Sequence, residues 1–216
     1  MVAGLPYDAE VEYLESTGTQ YLGTRWLPRS NNIRVRFKAQ STGVFSKAAI
    51  CGSEGGNIYA TWTFVIYAQT DNKAYPLTGR WNNKTSSFTF QPGDVLDIDW
   101  TSTNYSTTCT DLITGTSLKM SFSGVADYTR NVNPLNLFCN KTTQRSKIKM
   151  FYYKIYDAES LVRDLIPVRF TNEQGVSEGA MYDRLGVGGM NPGGFARNDG
   201  LYRNRGTGAF VLGPDV

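Results

Sequence analysis

Asp97 and Asp99, in the run Val95-Leu96-Asp97-Ile98-Asp99-Trp100, have the spacing in this chain that most directly suggests chemistry. Side chains two residues apart on a strand share a face, and a pair of carboxyl groups is what glycoside hydrolysis needs as acid and as base or nucleophile. The next position on that face is Thr101, so the acidic series stops after two members and reads first as the polar side of a strand. The chain contains no histidine. That removes the imidazole-based serine and cysteine triads, imidazole zinc sites and the usual neutral-pH general base. We therefore expect no catalytic residue and no enzyme activity.

Other candidate ligands are sparse. A structural calcium ion would draw on Asp71, Asn72 and Asp94, but no D-x-D-x-D-G loop gathers the roughly six oxygens such an ion takes. The stretch Gly186-Val187-Gly188-Gly189-Met190-Asn191-Pro192-Gly193-Gly194 has Asn191 where a dinucleotide fingerprint needs glycine, and no P-loop lysine follows. No cofactor is expected. The three cysteines, Cys51, Cys109 and Cys139, are widely spaced and read as small apolar fillers of strands. Sequons at Asn83, Asn104 and Asn140 are assigned no role.

Binding residues are better represented. Arg34, Arg36 and Lys38 lie on one side of an alternating strand, and Arg145, Lys147 and Lys149 do the same at the start of another. If the two strands are neighbours, six cations form a patch suited to phosphate-bearing glycans or an acidic protein surface; otherwise the charges guard strand edges against aggregation. Trp62 and Trp81 belong to a set of aromatics, with Tyr59, Tyr67, Tyr75 and Tyr105, that either stack on sugar rings or pack the interior. Phe195, Arg197 and Tyr202, beyond the glycine-rich stretch, are candidates for partner contact.

The elements that must carry these residues are strands. Apolar residues alternate with polar ones in Ile33 to Ala39, Ile58 to Tyr67, Ser87 to Phe90, Val95 to Thr101, Leu135 to Cys139, Lys147 to Asp157 and Leu161 to Val168. Turn sequences such as Gln91-Pro92-Gly93-Asp94 and Thr114-Gly115 separate them. No 3.6-residue apolar period persists, so helix is expected only as single turns. The 216 residues, 13 % of them aromatic, suit one all-β domain spanning 1–216, a two-sheet antiparallel sandwich with an N-terminal arm at 1–9 and a glycine-rich loop insertion at 186–205.

A net charge of +3 makes no general case for nucleic acid, and no run of about 18 apolar residues suggests membrane insertion. The first residues contain no signal-peptide pattern.

Both ends of the chain carry specific motifs. LPYDAEVEYLESTGTQYLGT at the start, and FYYKIYDAESLVRDLIPVRF, GAMYDR and GTGAFVLGPDV towards the end, resemble a family of LamG-like, concanavalin A-like jelly-roll proteins of Bacteroides-type gut bacteria and their phages. The resemblance implies the jelly-roll fold, with Tyr13 and Leu14 against Tyr21 and Leu22 in the core, turns at Gly18, Gly206 and Gly208, and a cross-strand pair of Asp157 with Arg163. It implies no shared catalytic residue. Virion proteins need no export signal, so the expectation is a non-enzymatic phage structural protein exposed on the virion, as a capsid decoration, head fibre or tail-associated module. Its partners would be other virion proteins, further copies of itself, or host surface polysaccharide. The alternative is a glycan-binding module of a bacterial cell-surface or secreted protein.

Overall fold

The alternation in IRVRFKAQS becomes a strand buried at every second residue, with Ile33, Val35, Phe37 and Ala39 inward and Arg34, Arg36, Lys38 and Gln40 at the surface. A computed structural model of the chain describes residues 4–28, 32–43, 48–54, 61–66, 73–79, 86–103, 106–121, 133–140, 143–186 and 199–216, with backbone alone at 54, 61–66, 78 and 79. No helix occurs among these residues. The strands are β1 (Ala9–Glu10), β2 (Leu14–Thr17), β3 (Leu22–Gly23), β4 (Ile33–Ser41), β5 (Ala48–Glu54), β6 (Thr61–Ile66), β7 (Lys73–Gly79), β8 (Phe88–Thr89) and β9 (Val95–Ser102), followed by β10 (Ser106–Asp111), β11 (Ser117–Ser121), β12 (Asn136–Leu137), β13 (Lys147–Asp157), β14 (Ser160–Thr171), β15 (Ser177–Asp183), β16 (Leu201–Arg203) and β17 (Val211–Leu212).

They form two antiparallel sheets. The larger, of eleven strands, runs β11-β10-β9-β4-β13-β14-β15-β16, with β2 on the first half of β13, β17 on β2, and β1 on β14. The smaller, of six, runs β3-β12-β5-β6-β7-β8. One apolar cluster joins their facing sides: Val35, Phe37, Ile98, Trp100, Tyr153 and Ile155 from the larger, Leu22, Ile50, Cys51, Ala74 and Leu137 from the smaller. Each buried Val, Leu, Ile or Phe side chain contributes about 1.5–3 kcal/mol, which is what holds two half-polar sheets together as a sandwich.

The larger sheet also has a second, smaller core on its outer face. Ile166, Val168 and Phe170 of β14, Ala180 of β15 and Leu201 of β16 are covered there by Leu5, Tyr7 and Tyr182. Leu5 and Tyr7 thus tie the N-terminal segment to the sheet, with Asp8 N–H donating to the Arg169 carbonyl and β1 following directly. The C-terminus closes on the same region, because Glu12 N–H donates to the Pro214 carbonyl and Val216 N–H to that of Glu10.

Several expectations change. The strand expected over Leu135 to Cys139 shortens to β12 because Phe138 adopts φ 66°, which turns the chain out of extended geometry. The expected loop at 186–205 includes β16, paired to β15. Tyr13 is only half-buried and lies against Phe151 rather than inside the sandwich, while Leu14 and Leu22 are fully buried. Asp157 faces Ser160 across a tight turn at Ala158-Glu159, and Arg163 stands opposite Ile155. Arg163 Nε instead lies 3.7 Å from Asp183 Oδ2, both side chains being buried.

Burial raises the Asp183 carboxyl above its ordinary value, opposed by N–H donation from Asp164 and Leu185 and by the Arg163 charge. A raised folded value means that the native state holds its proton more tightly than the unfolded chain, so this group's contribution to stability is full below the ordinary value of 3.8 and falls as pH rises through the folded value. Urea melts of wild type and Asp183→Asn across pH 3.5–7 are expected to show the wild type losing ground relative to the variant over the interval just above pH 3.8; a constant difference would contradict this assignment.

Candidate functional site

The outer face of β2, β13, β4, β9 and β10 carries an ion-pair network and several aromatic rings. Along β4 the register sets Arg34, Arg36 and Lys38 opposite Tyr156, Lys154 and Tyr152 of β13 on one side, and opposite Thr101, Asp99 and Asp97 of β9 on the other. The two basic strands are thus neighbours, and Lys149 follows opposite Gln40. The alternation of β13 breaks at a bulge between Met150 and Tyr152, so that Phe151 and Tyr152 are both partly exposed between buried Met150 and buried Tyr153. Bulges commonly re-aim a side chain in this way at the cost of one unpaired residue.

The centre of the face is an ion-pair network. Arg34 donates through Nε to Asp99 Oδ1 at 2.7 Å and through Nη2 to Asp99 Oδ2 at 2.5 Å. Arg36 Nε lies 3.7 Å from the same carboxylate, and Lys154 Nζ 3.5 Å from Asp164. Hydrogen bonding to Asp99 raises the Arg34 guanidinium above its already high value, so it is permanently charged. The Tyr152 hydroxyl reaches across β4 to donate to Asp97. Its phenol is pushed well above the ordinary range by burial first and by this bond second.

Asp97 and Asp99 are therefore side-by-side acceptors on one strand, held by Tyr152, Arg34 and Arg36. Two depressions flank the network. One of about 490 Å³ is lined by Arg34, Asp99, Thr101, Thr108, Thr110 and Leu112, among others. The second, of about 300 Å³, is lined by Arg36, Tyr152, Lys154, Asp164, Ile166 and Arg184.

Beyond Lys38 the face changes character. Lys38 Nζ sits 5.1 Å from the centroid of the Phe151 ring and Lys149 Nζ 4.3 Å from that of Tyr13. The two rings meet edge to face at 5.7 Å. Lys147, opposite Thr17 of β2, extends the row.

Arg34, Arg36, Lys38, Lys147 and Lys149 are thus brought onto one surface. Arg145 is not: it bridges Ala49 of β5, and its guanidinium donates to the Thr19 carbonyl and stands over Tyr21. Tyr202 is corrected from a contact residue to a core residue, 6 % exposed, because β16 pairs it with Met181 on the inner side. Tyr75 packs on Ala49 and Leu77. The Trp62 side chain, Trp81, Phe195 and Arg197 lie outside the described residues, as do Tyr59, Tyr67, Tyr105, Asp71, Asn72, Asn83 and Asn104.

Asp94 accepts from the Gln91 N–H within its own turn, and Asn140 is buried. Among the described residues no group of three or more Cys, Asp or Glu is placed to hold a metal ion. Tyr13, Phe151, Tyr152 and Lys154 are site residues that alternation alone did not single out. For Phe151 and Tyr152 the signal was the run of three aromatics in Met150-Phe151-Tyr152-Tyr153, where strict alternation fails.

By fold the chain is an all-β antiparallel sandwich, with a charged and ring-bearing outer face on its larger sheet. No model of a known protein family matches it, and no curated protein matches it either.

Proposed function

We propose that the protein is a non-enzymatic recognition module exposed on a phage particle, which holds host surface polysaccharide against the outer face of its larger sheet. One observation carries this reading: strands distant in sequence place Tyr13, Lys38, Phe151, Tyr152 and Arg34 on a single surface, beside a depression whose Thr101, Thr108 and Thr110 offer hydroxyl groups. Sugars are bound by such combinations of ring faces, guanidinium donors and hydroxyls. The virion setting is supported by the resemblance of the terminal motifs to LamG-like jelly-roll proteins of Bacteroides-type bacteria and their phages.

The test is light scattering of the purified chain with and without capsular polysaccharide from candidate hosts. A mass that rises with one polysaccharide, and rises less for Arg34→Ala/Phe151→Ala, supports the reading. A stable oligomer indifferent to every polysaccharide contradicts it and favours a role in assembly alone.

A further inference from the structure

We propose that the Lys38–Lys149 end of this face is a site for acidic glycan, a polysaccharide bearing carboxylate or sulfate groups. The inference rests on the recognition reading above and narrows its ligand.

The charge balance differs along the face. Arg34 and Arg36 share Asp99, and Lys154 has Asp164. Among the described residues Lys38 and Lys149 have ring contacts and no ion-pair partner. The carboxylate opposite Lys38 in register is Asp97, which accepts the Tyr152 hydroxyl, and the one opposite Lys149 is Glu15, which makes no ion pair with it. Lys149 faces Gln40, two positions along β4 from Lys38. Diagonal positions of that kind on neighbouring strands are roughly 7–8 Å apart, a separation that one anionic group can bridge.

The rings favour an anionic sugar over a neutral one. Stacking of an uncharged pyranose needs an open ring face, and here an ammonium group stands over a face of Tyr13 and another over Phe151. A neutral sugar would have to displace those cations, whereas an anion meets them where they already stand. The cation–ring contacts also restrict two otherwise flexible lysines, which reduces the ordering that binding must impose. The bulge supplies Phe151 at this place, adding a ring outside the regular alternation of β13.

The experiment titrates the full chain with dextran and with dextran sulfate of matched length, at low salt and again at about 0.15 M, where surface charges are screened beyond about 8 Å. Dextran sulfate is expected to bind much more tightly than dextran, and Lys38→Gln/Lys149→Gln to weaken that binding by roughly tenfold or more. Lys73→Gln, exposed on the other sheet, is expected to leave it unchanged, and all variants to melt with the wild type. Equal binding of the two polymers, or a double variant that binds dextran sulfate normally, overturns the acidic-glycan site without touching the recognition reading, which the host-polysaccharide titration tests separately. Duplex DNA bound as tightly as dextran sulfate, and lost in the same variant, also overturns it, since the pair would then read charge alone.

Discussion

Trp100→Ala is expected to destabilise the protein by about 3–5 kcal/mol, measured as a fall in the urea midpoint. Trp100 is fully buried in β9 of the larger sheet, between Val35 of β4 and Cys109 of β10. Its indole N–H donates to Thr107 Oγ1 at 2.7 Å, and that hydroxyl donates to the Thr101 carbonyl at 2.8 Å. Alanine leaves a large apolar void and removes a buried donor together. Trp100→Phe separates the two losses: it keeps most of the volume, and its expected cost is about 1–2 kcal/mol, largely for the missing hydrogen bond. A loss below 1 kcal/mol for the alanine variant would mean that the two sheets do not close around β9 as described. The result bears on the site as well, because the same strand presents Asp97 and Asp99 on its other side.

Gly206→Ala is expected to cost about 3 kcal/mol, at the upper end of the usual penalty for overpacking. A β-carbon at 206 would lie 1.9 Å from the Thr19 carbonyl oxygen and 2.9 Å from Gln20 Cα, both backbone atoms that cannot swing away. The segment is held on both sides: Arg205 N–H donates to the Tyr21 carbonyl, Thr207 N–H to that of Thr19, and Gly206 N–H to Asn204 Oδ1. The control is Gly115→Ala. Gly115 has φ 71° with open space around it, so alanine there meets only the left-handed backbone penalty of about 1 kcal/mol. Equal losses in thermal melts of the two variants would show that residues 19–21 and 204–208 do not approach as closely in solution.

Much of the larger sheet was legible in the chain because its strands alternate. The period-2 pattern placed Ile33 to Ala39, Val95 to Thr101 and Lys147 to Asp157 correctly, and set Arg34, Arg36, Lys38, Lys147 and Lys149 on one side, though it added Arg145, which lies elsewhere. Alternation assigns residues to two sides without saying whether both are buried. It therefore missed that Val168 and Phe170, on the outer side of β14, lie in a second core under Tyr7 and Leu5. It missed Tyr202 for the related reason that a short strand between charged residues looks exposed until its pairing with Met181 is known. Arg163 lost its expected partner because the tight turn at Ala158-Glu159 sets Asp157 against Ser160, and Phe151 entered the site through a bulge. Strand composition encodes neither the register set by that turn nor the bulge.

The proposed recognition surface is the outer face of the larger sheet. Lysine footprinting tests it most directly: the full chain is acetylated with and without the host polysaccharide that binds it, and each lysine's modification is followed by mass spectrometry. The account predicts protection of Lys38, Lys149 and Lys154, with Lys73 on the smaller sheet modified equally in both conditions. Protection of Lys73 with Lys38 and Lys149 unchanged would contradict it and move the binding face to the other sheet.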